Sequence, residues 1–243
     1  MRGMRLEGVS LSFGAVEVLR DISLDIQEGE FVAVVGPSGC GKTTLLNLFS
    51  GFVKPSAGRI ICDGRMRMVY QHDGLFPWRT VAENISMGLR HIEDDAERAR
   101  QLKQMLALIG LEGFGDHYPH QLSGGMRQRV ELARALAGET DALLLDEPFS
   151  ALDYLTRLRL RRELARMLRE RPRTVVLVTH DTEEAAQLAD RVVVLSERPA
   201  RIRRELSLDL ERPRDPTNPS VVEAVHSILT ELGLEHDTEN VLV

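Results

Sequence analysis

Gly36-Pro37-Ser38-Gly39-Cys40-Gly41-Lys42-Thr43 sets glycines, a lysine and a hydroxyl at the spacing GxxxxGKT. Glycines let successive backbone amides curl around phosphate oxygens, and a helix start behind them adds a favourable dipole. Lys42 can neutralise phosphate charge, and Thr43, followed by Thr44 in the same turn, can coordinate magnesium. The flanks are those this chemistry needs: an apolar run, FVAVV, before the loop and a helix-compatible TTLLNLF after it. An ordinary glycine-rich turn with one surface lysine would leave both flanks unexplained. Cys40 is not needed for the chemistry, so packing is its expected role.

A second constellation lies at 142–148, where ALLLDEP ends a hydrophobic run on two acids. Asp146 is the candidate carboxylate for helping to hold magnesium, and Glu147 is the candidate for polarising an attacking water. Paired acids on a surface turn are common, and it is the phosphate loop that makes these two informative. Moving a γ-phosphoryl group to water requires a positioned nucleophile, Mg2+ and donors for the developing charge. The two constellations together supply candidates for each, and ATP with Mg2+ is the implied pair.

The elements that must carry these groups alternate. Two short strands around Gly14 are expected between Arg5 and Ile26, then the strand at 31–35, the phosphate loop and its helix. RIICDG and MRMVYQ offer two short strands, and a short helix follows Pro77 and Trp78. Helices are expected over about 93–111 and from Ser123 through GGMRQRVELARALAG, with Ser123 as the cap. Strand 142–148, helix 154–170, strand 174–180, helix 182–189 and strand 191–195 follow, then a short strand or turn and an amphipathic helix near 221–232. The alternation is α/β. The charged stretches 93–100 and 157–170 read as wet helix faces, the second with surface arginines over an inward apolar stripe.

Composition bounds the rest. The chain has 243 residues, 43% of them hydrophobic and 28% charged, which excludes a disordered or collagen-like protein. A net charge of −6 disfavours nucleic acid as partner. Two cysteines without CxxC spacing fit a reduced cytosolic setting, and no run reaches the ~18 apolar residues of a membrane span.

LSGGMRQ at 122–128, added to the phosphate loop, resembles the signature of the ATP-binding-cassette family, and the likeness runs from about residue 5 to 210. Gln71 is similar to that family's Q-loop glutamine, Ser150-Ala151-Leu152-Asp153 to its D-loop, His180 to its switch histidine and Phe13 to its adenine-stacking aromatic. The resemblance implies a P-loop NTPase of ABC type with an N-terminal antiparallel β-subdomain and an inserted α-helical subdomain at about 77–140. The whole of 1–243 is then one nucleotide-binding domain with a helical tail at 211–243. It also implies a head-to-tail pair, with a second copy or a homologous subunit, and two ATP molecules between the subunits. Ser123, Gly124, Gly125 and Gln128 would belong to the nucleotide site completed by the other subunit, with Asp153 coupling the two sites. Gln71 would join Thr43 and Asp146 around the metal, and Lys42, Gln71, Glu147 and His180 would form the catalytic set.

HDGLFPWRTVAENI and DEPFSALDYLTR resemble the nitrate, sulfonate and taurine importer subfamily. That implies a peripheral subunit on the cytoplasmic face of the membrane, bound to transmembrane permease subunits and served by an extracytoplasmic solute-binding protein. Phe76 and Trp78 are candidates for touching the permease or for packing under the helical arm. Two features depart from the subfamily: the short interval before Gln71, and Glu131 where a small or apolar residue is usual. A soluble cassette ATPase acting on nucleic acid or a macromolecular assembly is the alternative, weighed down by a single cassette and a negative charge.

Overall fold

The structure is a computed structural model and describes residues 3–70 and 74–233. Two long strands, β1 (Met4–Phe13) and β2 (Val16–Ile26), pair antiparallel from Met4↔Ile26 to Phe13↔Val16. Gly14, at φ 58°, makes the turn between them, a conformation that costs a side-chain-bearing residue about 1 kcal/mol or more. β3 (Phe31–Val35) follows, then α1 (Lys42–Phe49), β4 (Ala57–Cys62) and β5 (Met66–Val69). β4 joins the free side of β1, closing a three-stranded sheet in the order β2-β1-β4.

β5 does not pair back onto β4. It leaves for the edge of a second sheet because Asp141 seizes the connection: its carboxylate accepts the Arg65 N–H at 2.7 Å, and its own N–H reaches the Arg65 carbonyl at 2.9 Å.

The remaining elements are α2 (Val81–Ser86), α3 (Asp95–Leu108), α4 (Gly124–Ala137), β6 (Ala142–Asp146), α5 (Tyr154–Glu170), β7 (Thr174–Val178), α6 (Thr182–Leu188), β8 (Arg191–Leu195), β9 (Ile202–Ser207) and α7 (Pro219–Glu231). The larger sheet runs β5-β6-β7-β3-β8-β9, parallel except for the antiparallel β9. β3, β6 and β7 are buried along their whole length, as expected for parallel strands covered on both faces.

Their period of two divides the core. Val32, Val34, Leu144 and Val176 face α1 and the antiparallel sheet, while Phe31, Ala33, Val35, Leu143 and Leu145 face the helices from α2 to α7. α2 to α4 form the inserted helical arm. Side chains start the helices where polar residues precede them: Thr80 with Glu83 for α2, Asp94 for α3, Ser123 for α4, Asp153 for α5 and Asp181 for α6.

Two arginines are buried, and the first lies in the helix expected to carry surface arginines. Arg161, on the face of α5 read as solvated, is 1% exposed, and its guanidinium pairs with Asp181 beneath α6. Arg214 is also buried. It donates to the carbonyls of Ala186, Ala189, Leu208 and Leu210, satisfying the C-terminal end of α6 and fastening the chain that leads to α7. Among the described residues, no helix is long and apolar enough to cross a membrane.

Candidate functional site

Because β3, β6 and β7 are parallel, their carboxyl ends lie along one edge of the sheet, where the topology places ligands in open α/β folds. The loop 36–41 leaves β3 there. Gly41 caps α1 with φ 116° and with no side-chain bond to the first helical turn, so the backbone amides of that turn have no side-chain acceptor from the cap. A Cβ on Gly41 would stand 2.8 Å from Val18 Cγ1, and one on Gly36 would stand 3.0 Å from Cys40 Sγ. The loop's tight curl therefore depends on both glycines. Cys40 is buried, and burial pushes its thiol above the usual range. It packs, as expected from its sequence.

Lys42 is buried, and its ammonium donates to the carbonyls of Gly36 at 2.8 Å and Pro37 at 3.0 Å. The charge is thus held inside the curl of the loop, and Ser38 and Gly39 form its exposed crest. Arg198, in the turn between β8 and β9, donates to the Gly39 carbonyl. Thr43 is exposed and Thr44 half-buried on the first turn of α1.

Asp146 ends β6 in register with Val178 and is 3% exposed. Glu147 follows at φ 48°, a left-handed backbone that a non-glycine residue adopts only at a cost of about 1–3 kcal/mol. Its N–H bonds the Val178 carbonyl at 2.9 Å, which fixes the turn against β7. One β7 strand end away, His180 brings Nδ1 to 3.1 Å from Glu147 Oε1, with the imidazole 62% exposed and the carboxylate 17%. The strained turn therefore presents a carboxylate and an imidazole together at the sheet edge.

The helical arm reaches this turn through Gln128. Its Nε2 donates to the Glu147 carbonyl at 2.8 Å, and its Oε1 accepts the Ala151 N–H at 3.0 Å. Ser150 Oγ donates to the same Glu147 carbonyl at 3.0 Å. Gln128 thus bonds within its own chain and clasps the segment 147–151. Gly125 lies against that segment too, since a Cβ there would meet the Ala151 carbonyl oxygen at 2.8 Å, whereas Gly124 opens to solvent. Ser123 Oγ accepts the Met126 N–H at 3.3 Å as the cap of α4.

Asp153 accepts the Thr156 N–H at 3.0 Å, and its hydrogen bonds to Thr156 hold its carboxyl below the usual range. Phe13 is 52% exposed at the β1–β2 turn and takes no part in the core. Gln71 lies outside the described residues. The rings of Phe76 and Trp78 meet at a tilt of 59° with 5.5 Å between centroids, with Trp78 70% exposed and the Arg134 guanidinium 5.4 Å over Phe76.

Sequence reasoning missed the support under His180. Asp181 accepts from Arg157 at 2.9 Å and from Arg161, and Glu184 accepts the Thr179 hydroxyl at 2.7 Å. Burial would raise the Asp181 carboxyl, but Arg161 and the surrounding donors outweigh it and hold it low. Glu184 behaves oppositely. Its burial pushes it up to about 7 against the attraction of Arg161. The signal was present in part: Asp181 and Glu184 have capping spacing, and Arg161 falls among the apolar stripe of Leu160, Leu164 and Leu168.

The donor set suits a nucleotide with a small hard cation. A glycine-built cradle, a buried ammonium, a hydroxyl and one carboxylate match a Mg2+ that keeps phosphate and water as its other ligands. Among the described residues no group of three or more His, Cys, Asp or Glu could hold a metal unaided.

Comparison with known proteins gives the same picture. A family model described as ABC transporter matches residues 19–150. The chain is 44% identical to a taurine import ATP-binding protein of Pelagibacter ubique, over 79% of this chain and 76% of that protein. It is 45% identical to an aliphatic sulfonates import ATP-binding protein of Rhodococcus jostii, over 87% and 86%. A nitrate import ATP-binding protein of Synechococcus elongatus is 46% identical over 83% of this chain, which spans 32% of that longer protein. Among solved structures, a dimeric ATP-binding cassette in a post-hydrolysis state with ADP and Pi superposes with a TM-score of 0.76 at 32% identity, covering 85% of this chain and 99% of that one.

Proposed function

The chain belongs to the ABC transporter family, and from that premise we propose that it is the ATP-hydrolysing subunit of an importer for a small solute of the nitrate, taurine or sulfonate kind. It binds and hydrolyses ATP, and it works as one of a pair joined to a permease. The observation that carries the reading is the meeting of Glu147 and His180 at 3.1 Å on the same sheet edge as the glycine cradle and Lys42. We place the helical arm at about 77–140 within one nucleotide-binding domain, and the tail from 211; residues 234–243 of that tail lie outside the described residues.

In this reading the amides of residues 36–44 and the Lys42 ammonium take the nucleotide phosphates, and Phe13 lies against the base. Lys42 exchanges its two loop carbonyls for phosphate oxygens, so binding opens a contact that the free loop makes with itself. Thr43 and Asp146, with Gln71, hold Mg2+, which supplies neutralisation of phosphate charge when bound. Glu147 orients a water and accepts its proton, while His180 keeps the terminal phosphate in register with that water. Ser123 and Gly124 of each subunit face the nucleotide held by the other, where the open N-terminus of α4 offers amides to phosphate. Gln128 and Gly125 act from behind, tying the arm to the turn that carries Glu147. Asp153 starts α5 beside that turn and couples it to the pair's interface.

Closure of the pair on ATP is then transmitted through the helical arm to a permease on the cytoplasmic face of the membrane, with a solute-binding protein delivering the cargo outside. The experiment is capture of tagged Glu147→Gln protein from native membranes with Mg-ATP, followed by identification of stoichiometric partners. A multi-span permease is expected. Recovery of soluble partners alone, from membranes and cytosol alike, would sink the importer reading and leave the ATPase chemistry.

A further inference from the structure

Glu131 is a buried acid on α4, 4% exposed, in a stretch of helix where a small or apolar side chain would pack without cost. A buried carboxylate needs donors, and this one has found the chain between β5 and α2. Its Oε1 accepts the N–H of Tyr70 at 3.0 Å. One turn further along the same helix, the Arg134 guanidinium donates to the carbonyl of Gly74 and lies over the Phe76 ring. Burial draws the Arg134 guanidinium down, while the Glu131 charge works against that. One face of α4 therefore grips both described flanks of the segment, at 70 and at 74–76.

Gly74 shows how closely the parts are fitted. Its φ lies outside the left-handed region, so its backbone would accept any residue, yet a Cβ there would stand 1.9 Å from Glu131 Oε1 and 2.2 Å from Glu131 Cδ. The carboxylate occupies the space that a side chain at 74 would need. Glycine at 74 and glutamate at 131 are thus two halves of one contact.

We propose that Glu131 is a positioning residue: its carboxylate, seated in the notch left by Gly74, fixes Tyr70 and Gly74 to α4, so that these two positions travel with the helix whose N-terminus faces the partner's nucleotide. The inference rests on the ATPase reading above. It predicts that loss of Glu131 slows turnover without weakening nucleotide binding, because the contacts described for Glu131 are with Tyr70 and the notch at Gly74 rather than with residues 36–44.

The test is a mutant cycle on the full chain, with Gly74→Ala, Glu131→Ala, the double variant and Glu131→Gln. Steady-state hydrolysis of Mg-ATP and unfolding midpoints are measured for each. Glu131→Ala is expected to lower kcat about tenfold or more with KM for ATP within about twofold. Glu131→Gln keeps the acceptor for Tyr70 and is expected to recover most of the rate. Gly74→Ala should lower both kcat and the midpoint, and adding Glu131→Ala should restore the midpoint toward that of Glu131→Ala alone, because the clash is gone. Independent, multiplying effects of the two substitutions, or unchanged kcat in Glu131→Ala, would overturn the proposal. If the unaltered chain hydrolysed no ATP, the ATPase reading would fall, and the midpoint cycle would still decide whether 74 and 131 form one contact.

Discussion

Arg161→Met tests the support beneath His180. The substitution keeps much of the side-chain volume and removes a guanidinium whose side chain is 2% exposed, leaving Asp181 with Arg157 and leaving Glu184, 4% exposed, without the cation 3.7 Å away. Removing one partner of a buried ion pair costs about 3–5 kcal/mol, because the remaining charge stays desolvated. In a chain of 243 residues each kcal/mol moves the unfolding midpoint by roughly 2–4 °C, so a fall of roughly 6–20 °C is expected at pH 8. Glu184 makes the loss depend on pH. Its carboxyl titrates at about 7, so at pH 5 it is protonated and asks little of Arg161, and the loss should shrink by on the order of 1–2 kcal/mol. Urea unfolding of both proteins at pH 5 and pH 8 reads both quantities. A loss below about 1 kcal/mol at pH 8, or the same loss at both pH values, would refute the reasoning.

Glu184 itself should make the unaltered protein lose stability as pH rises from 4.5 to about 7, since its folded pKa lies above its unfolded one, and above that window the effect is complete. Glu184→Gln should remove that decline, which is on the order of 3 kcal/mol, and urea titrations across the window will show whether it does. Gly124 and Gly125 should separate: Gly125→Ala drives a Cβ to 2.8 Å from the Ala151 carbonyl oxygen and should cost about 1–3 kcal/mol, whereas Gly124→Ala meets open space and should leave the midpoint unmoved while impairing ATP-dependent hydrolysis. Gln128→Ala removes bonds of 2.8 and 3.0 Å to the turn carrying Glu147, so kcat should fall by about tenfold or more while nucleotide binding, followed by fluorescence of an ATP analogue, stays near its original strength.

Much of the frame was legible because local patterns and tertiary demands agree. The runs at 31–35, 142–146 and 174–178 are apolar without alternation, and the structure buries each strand on both faces. α5 begins after Asp153 and ends at Glu170 as its pattern suggested, since an acid cap and an apolar stripe define it without outside help. The phosphate loop was legible for a different reason: its glycines, lysine and flanking elements are contiguous in sequence, so geometry and chemistry are written in one stretch.

What stayed hidden depends on partners far along the chain. Arg161 looked like one more surface arginine among six in its helix, and only the arrival of Asp181 and Glu184 from α6 explains its burial. Arg214 lies in the polar stretch ERPRDPTNPS, yet its position is set by four carbonyls from the end of α6 and from the irregular stretch that follows β9. Glu131 stood out as a departure, but its meaning required the Tyr70 N–H and the notch at Gly74. β4 and β5 were each recognisable, whereas their separation into different sheets hangs on Asp141, more than seventy residues away.

The central claim is that the nucleotide completes its site between two copies of this chain. Light scattering of the Glu147→Gln protein, with nucleotide binding verified independently, tests it most directly. The account predicts the mass of one chain without nucleotide and of two chains with Mg-ATP, and a return to one chain when Gly124 is also replaced by a bulky residue. A single-chain mass with ATP bound, at every workable protein concentration, would contradict it.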